Sequence, residues 1–284
     1  MRLRRRMRGM QNKSLMARLM AAPHVLWSIL FIVAPMLFVI YYAFTDAEGN
    51  FTMSNIAELG NPSYLTIFAR SGAFALVATA ICLLVAYPLA YAVSRANPKR
   101  QKIYIMLIML PMWMNFLIRT YSIMAIIEDT GFINSTLAHF GIDPIHMINT
   151  DGAVVFGMVY NYLPYMVLPI HTVLSKLDNR QLEAAADLGC TPVQAFFKVV
   201  MPHSRAGIVS GITMVFVPSV STFYISQKLG GSSFDLIGDT IERQFQTAYN
   251  YNLGAAMSLV LMIVILISMA IMNRYSDEEG SVVA

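Results

Sequence analysis

Side chains able to do chemistry are few in this sequence, and their spacing says more than their number. The five histidines, His24, His139, His146, His171 and His203, are scattered, and each suits a loop or boundary better than a catalytic centre. Cys82 lies in an apolar run and Cys190 in a polar stretch, so they give neither a disulfide framework nor a metal-ligand spacing. The sequence contains no HExxH, no GxSxG and no paired His/Cys ligands. A Gly-rich phosphate loop is missing as well, since the pair Lys13-Ser14 follows Asn12 rather than glycine. The residues therefore support neither an enzyme nor nucleotide binding in the P-loop manner.

One polar grouping stands out. "QLEAAADLGCTPVQAFFKVVMP", residues 181–202, reads as a helix of good formers stopped at Gly189. Thr191 and Pro192 then provide an N-cap and a first helical residue for a second helix ending near Met201 and Pro202. Three readings fit such a unit: a DNA-binding helix–turn–helix, an ordinary loop, or a docking element presented to a partner. The segment 175–206 has four basic residues against three acidic ones. That balance gives no phosphate-binding surface, which argues against nucleic acid.

The elements that must carry this grouping are apolar. The 284 residues are 57% hydrophobic and 13% charged, whereas soluble domains carry roughly 25% charged residues. Uncharged runs at about 25–44, 72–93, 103–127, 153–174, 207–225 and 253–272 are each long enough to approach the 20 or so residues a bilayer needs. The sequence thus predicts an all-α polytopic membrane protein with six transmembrane helices, the third interrupted by Arg119. Residues 1–24 form a basic tail whose start looks like a signal peptide. The apolar stretch after it is too long for one and has no small-residue cleavage site, so it is expected to remain as the first helix. A six-helix domain over 25–272 and a tail over 273–284 complete the expected organisation.

Charge orients the spans. With the N-terminus inside, the inner segments hold sixteen Lys and Arg (seven before residue 25, four in 94–102, four in 175–206, and Arg274). The outer segments hold three, Arg70, Lys228 and Arg243. This asymmetry predicts cytoplasmic termini and a cytoplasmic 175–206 loop, with membrane lipid as the chain's surroundings. Prolines at 35, 88, 111, 164, 169 and 218 fall within five of the six runs, as in membrane helices that merely tolerate proline or in bent helices that line a path. No convincing internal repeat disturbs this reading.

Glu183-Ala184-Ala185, Gly189, Val199, Met201 and Pro202 resemble the EAA loop of ATP-binding-cassette importer permeases, with Val and Met replacing the pattern's Ile and Leu. "LPMWMNFLIRTYS" (110–122), "YNYLPYMVLPIHTVLSKLDNRQLEAAADLG" (160–189) and "FYISQKLGG" (223–231) are similar to the spermidine/putrescine permease subfamily. The likeness covers most of 25–272.

This resemblance implies a bacterial inner-membrane subunit that moves polyamines inward by alternating access. It implies partner ATPase subunits that hold ATP and Mg, a second and related permease subunit, and an extracytoplasmic polyamine-binding protein. No cofactor is expected on this chain. Glu183, Ala184, Ala185, Gly189 and Pro202 become the ATPase-coupling residues: alanines for close helix docking, a carboxylate for a basic partner, and a glycine for the turn. The same architecture carrying ferric iron, thiamine or an inorganic anion is the alternative, with a membrane-embedded enzyme or receptor further off.

For the substrate path the expectation names Glu128, Asp129 and Asp235 as acids that draw in a polycation, and Tyr121, Tyr160, Tyr162 and Tyr224 as aromatic faces for amines. Arg119 lies sixteen residues into the third run, about 24 Å along a straight helix, and is expected to hold its outer end. The orientation is tested by cysteine labelling in intact cells. Positions near Asp46, Asp143 and Ser232 should react from outside, whereas Ser14→Cys and Gln194→Cys should not. External labelling at 194 would reverse the topology.

Overall fold

The computed structural model describes residues 22–231 and 234–277. Most of the basic tail (including Ser14), Ser232 and residues 278–284 lie outside them. Twelve helices form the described chain: α1 (Ala22–Ala43), α2 (Ser54–Glu58), α3 (Pro62–Ser94), α4 (Pro98–Trp113), α5 (Phe116–Ile127), α6 (Phe132–His139), α7 (Asp151–Leu174), α8 (Asn179–Asp187), α9 (Pro192–Val220), α10 (Tyr224–Leu229), α11 (Ile237–Gln246) and α12 (Tyr251–Asp277). Among the described residues the only β pairing is an isolated bridge between Thr45 and Phe51. The all-α membrane fold is as the sequence indicates. Helices α1, α3, α7, α9 and α12 are each long and apolar enough to span.

The third span differs from a straight helix. It is a bent pair, with α4 and the following Phe116–His139 segment meeting at 95°, so six spans result when the pair is counted as one. The bend follows from "MWMN". Met114 is extended (ψ 147°), and Asn115 caps α5 by accepting the Leu117 and Ile118 amides at 2.8 and 3.4 Å. Asparagine is a strong N-cap, so it starts a new helix where the sequence suggested a continuous one.

The fifth span also differs. The helix expected to end near Pro202 continues unbroken from Pro192 to Val220. Proline removes an amide and its ring crowds the carbonyl four residues back. A π-helical turn over Phe196–Val200 relieves this, with the Met201 amide bonding back to the Phe196 carbonyl. α1 repeats the device: Ile29–Val33 is π-helical, the Ala34 amide reaches the Ile29 carbonyl, and Pro35 follows. In both helices the proline stands two residues past the π turn. The wider turn makes room for a ring that would otherwise end the helix.

The core sits among α3, α7 and α9. α3 contributes a seam of small residues, Ala75, Ala78, Thr79, Cys82, Ala86 and Ala90, buried at helical spacing. α9 contributes Ser204, Gly207, Gly211 and Val215. Between them lie the larger Met158, Met166, Val167 and Ile170 of α7. A side chain added at Gly207 would stand 2.8 Å from the Pro169 carbonyl oxygen and 3.0 Å from the Ile170 Cα, so α9 approaches the α7 backbone directly. Small residues four apart permit such approach between membrane helices. α12 packs on α1 through Ala43, Leu253, Ala256 and Met257, while most of α1 stays exposed.

Loops that the charge count assigns to one side meet in the structure. Arg70 pairs with Asp151 at 3.1 Å, the Asn149 amide donates to the Leu229 carbonyl at 2.9 Å, and Asn252 donates to the Thr45 carbonyl at 2.6 Å. At the other end Arg95 Nη1 donates to Asn179 Oδ1 at 2.5 Å.

Gly207→Val should be among the most disruptive single changes, because backbone rather than a movable side chain meets the new Cβ. A loss of at least about 1–3 kcal/mol is expected from overpacking. A thermal melt of the detergent-purified chain should show it, whereas Gly152→Ala, where only the Thr150 hydroxyl stands at 3.7 Å, should melt like the parent.

Candidate coupling loop and substrate path

The polar stretch folds as two helices at a sharp turn. Asp178 caps α8 by accepting the Arg180 amide at 3.0 Å. Its C-terminus closes as a Schellman motif: the Cys190 amide donates to the Ala185 carbonyl at 3.0 Å and the Gly189 amide to the Ala186 carbonyl at 2.9 Å. Gly189 has φ +79°, a conformation that side chains resist. Thr191 then forms a reciprocal capping box with Gln194, at 3.0 and 3.3 Å.

Leu182 packs on a core that includes Phe196, Val199 and Val200, and Ala185 is buried within the chain. Phe196 stacks edge-on with Tyr87 and Tyr91 of α3, at 5.6 and 5.8 Å between ring centres. The loop is therefore fixed to the spans. Glu183, Ala184, Ala186, Asp187, Gly189 and Pro202 are exposed, as are Leu188 (85%), Val193 (66%) and Phe197 (58%). Ala185 corrects the expected docking surface. It is 7% exposed within this chain and serves internal packing, because one step along a helix turns a residue by about 100° from its neighbours. Leu188, Val193 and Phe197, which the sequence reading passed over, supply exposed apolar surface on the same two helices. Their signal was available as large apolar residues inside an otherwise polar loop.

The path residues separate into two groups. Tyr121 on α5 and Tyr224 on α10 meet edge-to-face, with centroids 6.0 Å apart and planes at 82°. Phe116 lies 6.1 Å from Tyr224. Into this corner reaches Lys228, whose Nζ is 5.4 Å from the Tyr121 centroid and 5.7 Å from that of Tyr224. The sequence reading used Lys228 only to count charge. Its four-residue spacing from Tyr224 in "YISQK" already put both side chains on one helix face. Tyr160, 40% exposed, takes no part in that corner. Tyr162 is 8% exposed and donates to the Pro218 carbonyl at 3.3 Å, so it is a packing residue and not an open aromatic face.

The acids are mostly engaged. Asp235 is held by both terminal nitrogens of Arg243, at 3.1 and 3.0 Å, which corrects its reading as a free attractor of cations. Asp129 meets His146 Nδ1 at 2.9 Å in an exposed pair. Glu128 is exposed, and its carboxylate forms no ion pair among the described residues. Arg119 also departs from expectation. It is 5% exposed, with Nη1 donating to the Pro111 carbonyl at 2.9 Å and the guanidinium 5.8 Å from the Phe116 ring. The 95° bend folds it back against the break, so the straight-helix distance does not apply.

Asp239 was not singled out from sequence. It is 4% exposed; Oδ2 accepts the Leu236 amide at 2.9 Å, while buried Oδ1 has no hydrogen-bond partner. Burial pushes its carboxyl up from 3.8 to about 6, against the opposing pull of the Ser226 hydroxyl and the Leu236 amide.

A bent third span and a two-helix loop between the fourth and fifth spans mark a polytopic, all-α membrane subunit. The sequence matches the binding-protein-dependent transport system inner membrane component over residues 13–278, and the chain belongs to that family. It is 38% identical over 245 residues, 84% of this chain and 86% of the relative, to the spermidine/putrescine transport system permease protein PotB of Haemophilus influenzae. Its fold is similar to a bacterial ABC transporter involved in import of the acidic polysaccharide alginate (TM-score 0.77, 15% identity, 94% of this chain and 96% of that one). It is also similar to the alginate transporter in complex with a pentasaccharide-bound periplasmic protein (TM-score 0.75, 14% identity, 93% and 95%). The chain is an ABC importer permease and a multi-pass membrane protein.

The Asp239 environment has a pH signature. A raised carboxyl pKa means that the folded chain holds a proton the unfolded chain has released between pH 3.8 and about 6. Its destabilisation, present above about pH 6, is therefore relieved as pH falls through that window. The increase in melting temperature from pH 7 to pH 5 should be larger in the parent than in Asp239→Asn, and equal increments would exclude the buried acid as the source.

Proposed function

We propose that this permease carries polyamines into a bacterial cell by alternating access, driven by partner ATPase subunits that bind ATP and Mg and dock on the α8–α9 loop. The carrying observation is the 38% identity, over most of both chains, to a permease named for spermidine and putrescine. The exposed Glu183, Ala184, Leu188 and Phe197 support the docking surface, and a guanidinium in the ATPase groove is the natural partner for Glu183. The Tyr121–Tyr224 corner supports a cationic cargo. The charge asymmetry supports cytoplasmic termini, with Glu128 and Asp129 on the side where an extracytoplasmic binding protein delivers its load. A second, related permease subunit completes the pathway in this reading. Of the alternative cargoes in the same frame, the corner disfavours an inorganic anion; ferric iron and thiamine are cations, and the likeness to the named relative is what favours polyamines over them.

Uptake of labelled spermidine and putrescine by the reconstituted complex tests the cargo directly. Transport of neither, with another solute carried, would replace it. Coupling is tested separately. Glu183→Lys should lower uptake more than about tenfold by setting like charge against the basic partner. Gly189→Val should do likewise, through roughly 1–2 kcal/mol of strain at its left-handed backbone. Both variants should insert normally yet lose ATPase stimulation. Normal stimulation in both would reduce the loop to a connector.

A further inference from the structure

Each cation near the membrane's expected outer face has a structural partner, and Lys228 differs from the others in kind. Arg70 pairs with Asp151 and Arg243 with Asp235, while Arg119 donates to a carbonyl. Among the described residues Lys228 has no carboxylate partner: its ammonium stands 5.4 Å from the Tyr121 ring centre and 5.7 Å from that of Tyr224, and it interacts with the Tyr121 hydroxyl. An ammonium without a counter-ion does not face lipid, where a charge is expelled or paired. The corner therefore opens toward water or toward a neighbouring subunit, and Tyr121 is 45% exposed there.

The chemical identity of the occupant matters. A lysine side chain ends in a primary ammonium on four methylenes, the same group that terminates an aliphatic diamine or triamine. Two rings at 82° offer their negative faces to one such group from two directions. We propose that the Tyr121–Tyr224 corner is an alkylammonium-binding subsite of the transport path and that Lys228 is its tethered resident, displaced when a substrate ammonium arrives. The inference deepens the polyamine reading and rests on it for the identity of the natural ligand. A tethered competitor is present at high effective concentration, so it keeps the subsite weak. A path must bind its cargo loosely enough to release it.

Displacement exposes the Lys228 amine, and acylation reports it. The assembled transporter is treated with an N-hydroxysuccinimide acetate as n-butylammonium rises at constant ionic strength, and the rate of Lys228 acetylation is followed by peptide mass spectrometry relative to that of the exposed Lys176 in the same sample, so that reagent consumed by the free amine cancels. The rate should increase about two- to five-fold, the size of an exposed cation–π contact. In the Tyr121→Leu/Tyr224→Leu double variant it should start high and ignore the amine. A flat rate in the parent, or a double variant as slow and as amine-responsive as the parent, overturns the subsite. Lys228→Met should lower the KM for spermidine uptake by a similar factor, and an unchanged or raised KM overturns the resident role. Spermidine uptake measured in parallel separates the two levels. Butylammonium-dependent exposure without any polyamine transport sinks the cargo reading and leaves the ammonium subsite standing.

Discussion

Inside a bilayer no water is at hand to satisfy a backbone group, and every irregularity in these helices has to be met by the chain itself. The constraint explains features that otherwise look unrelated. Pro35 and Pro202 each follow a π turn, which lets the helix pass the ring without ending. The break after Trp113 is closed from both sides, by Asn115 capping the amides of α5 and by Arg119 donating to the Pro111 carbonyl. At the other end of α9, the Pro218 carbonyl accepts the Tyr162 hydroxyl. A buried arginine and a buried tyrosine are thus tied to backbone oxygens, and the two sites where spans bend or stop are stitched to the core.

The unbroken α9 is the mechanical consequence. At 29 residues it is about 43 Å long. Its first turns carry Phe196, wedged edge-on against Tyr87 and Tyr91, and its last residue stands just before α10 with Tyr224 and Lys228. On the proposed reading, a displacement of the α8–α9 loop would be carried toward the aromatic corner along this one helix. The seams along the route set the small residues of α3 and α9, alanine, serine and glycine, against the larger Met158, Met166 and Ile170 of α7.

Much of this was legible in the sequence, for definite physical reasons. Spans are read from length and hydropathy, and the α8–α9 turn from local preferences at Gly189, Thr191 and Pro192, which act within a few residues. The bend at Met114 and Asn115 was harder to see, since hydropathy does not register a single capping residue inside an apolar run. The π turn hid the true start of the fifth span, because a proline ordinarily marks an end. Tertiary pairing was beyond reach. Asp235 with Arg243, Asp129 with His146 and the inward face of Ala185 depend on how helices meet, and a residue's type alone assigns none of them. Lys228 is the instructive miss: counted as a topology marker, it carried a second message in its spacing from Tyr224.

The corrected acids change how cation selection works on the proposed reading. Ten acids and three bases lie in the loops assigned to the outer face, a formal excess of seven negative charges (10 − 3) that pairing does not alter. What pairing alters is reach. Asp235 and Asp151, fixed to arginines, are dipoles at short range and contribute to the attraction of a polycation mainly through the unpaired remainder. That attraction fades beyond roughly 8 Å at physiological salt, so it can concentrate cations at the mouth without choosing among them. Choice then has to come from contact. A ring corner prefers a weakly hydrated alkylammonium to a small metal cation that holds its water, and it rejects an anion outright. On the proposed reading long-range charge and short-range aromatic geometry divide the task, and Lys228, 5.4 and 5.7 Å from the two ring centres, marks the corner where contact takes over.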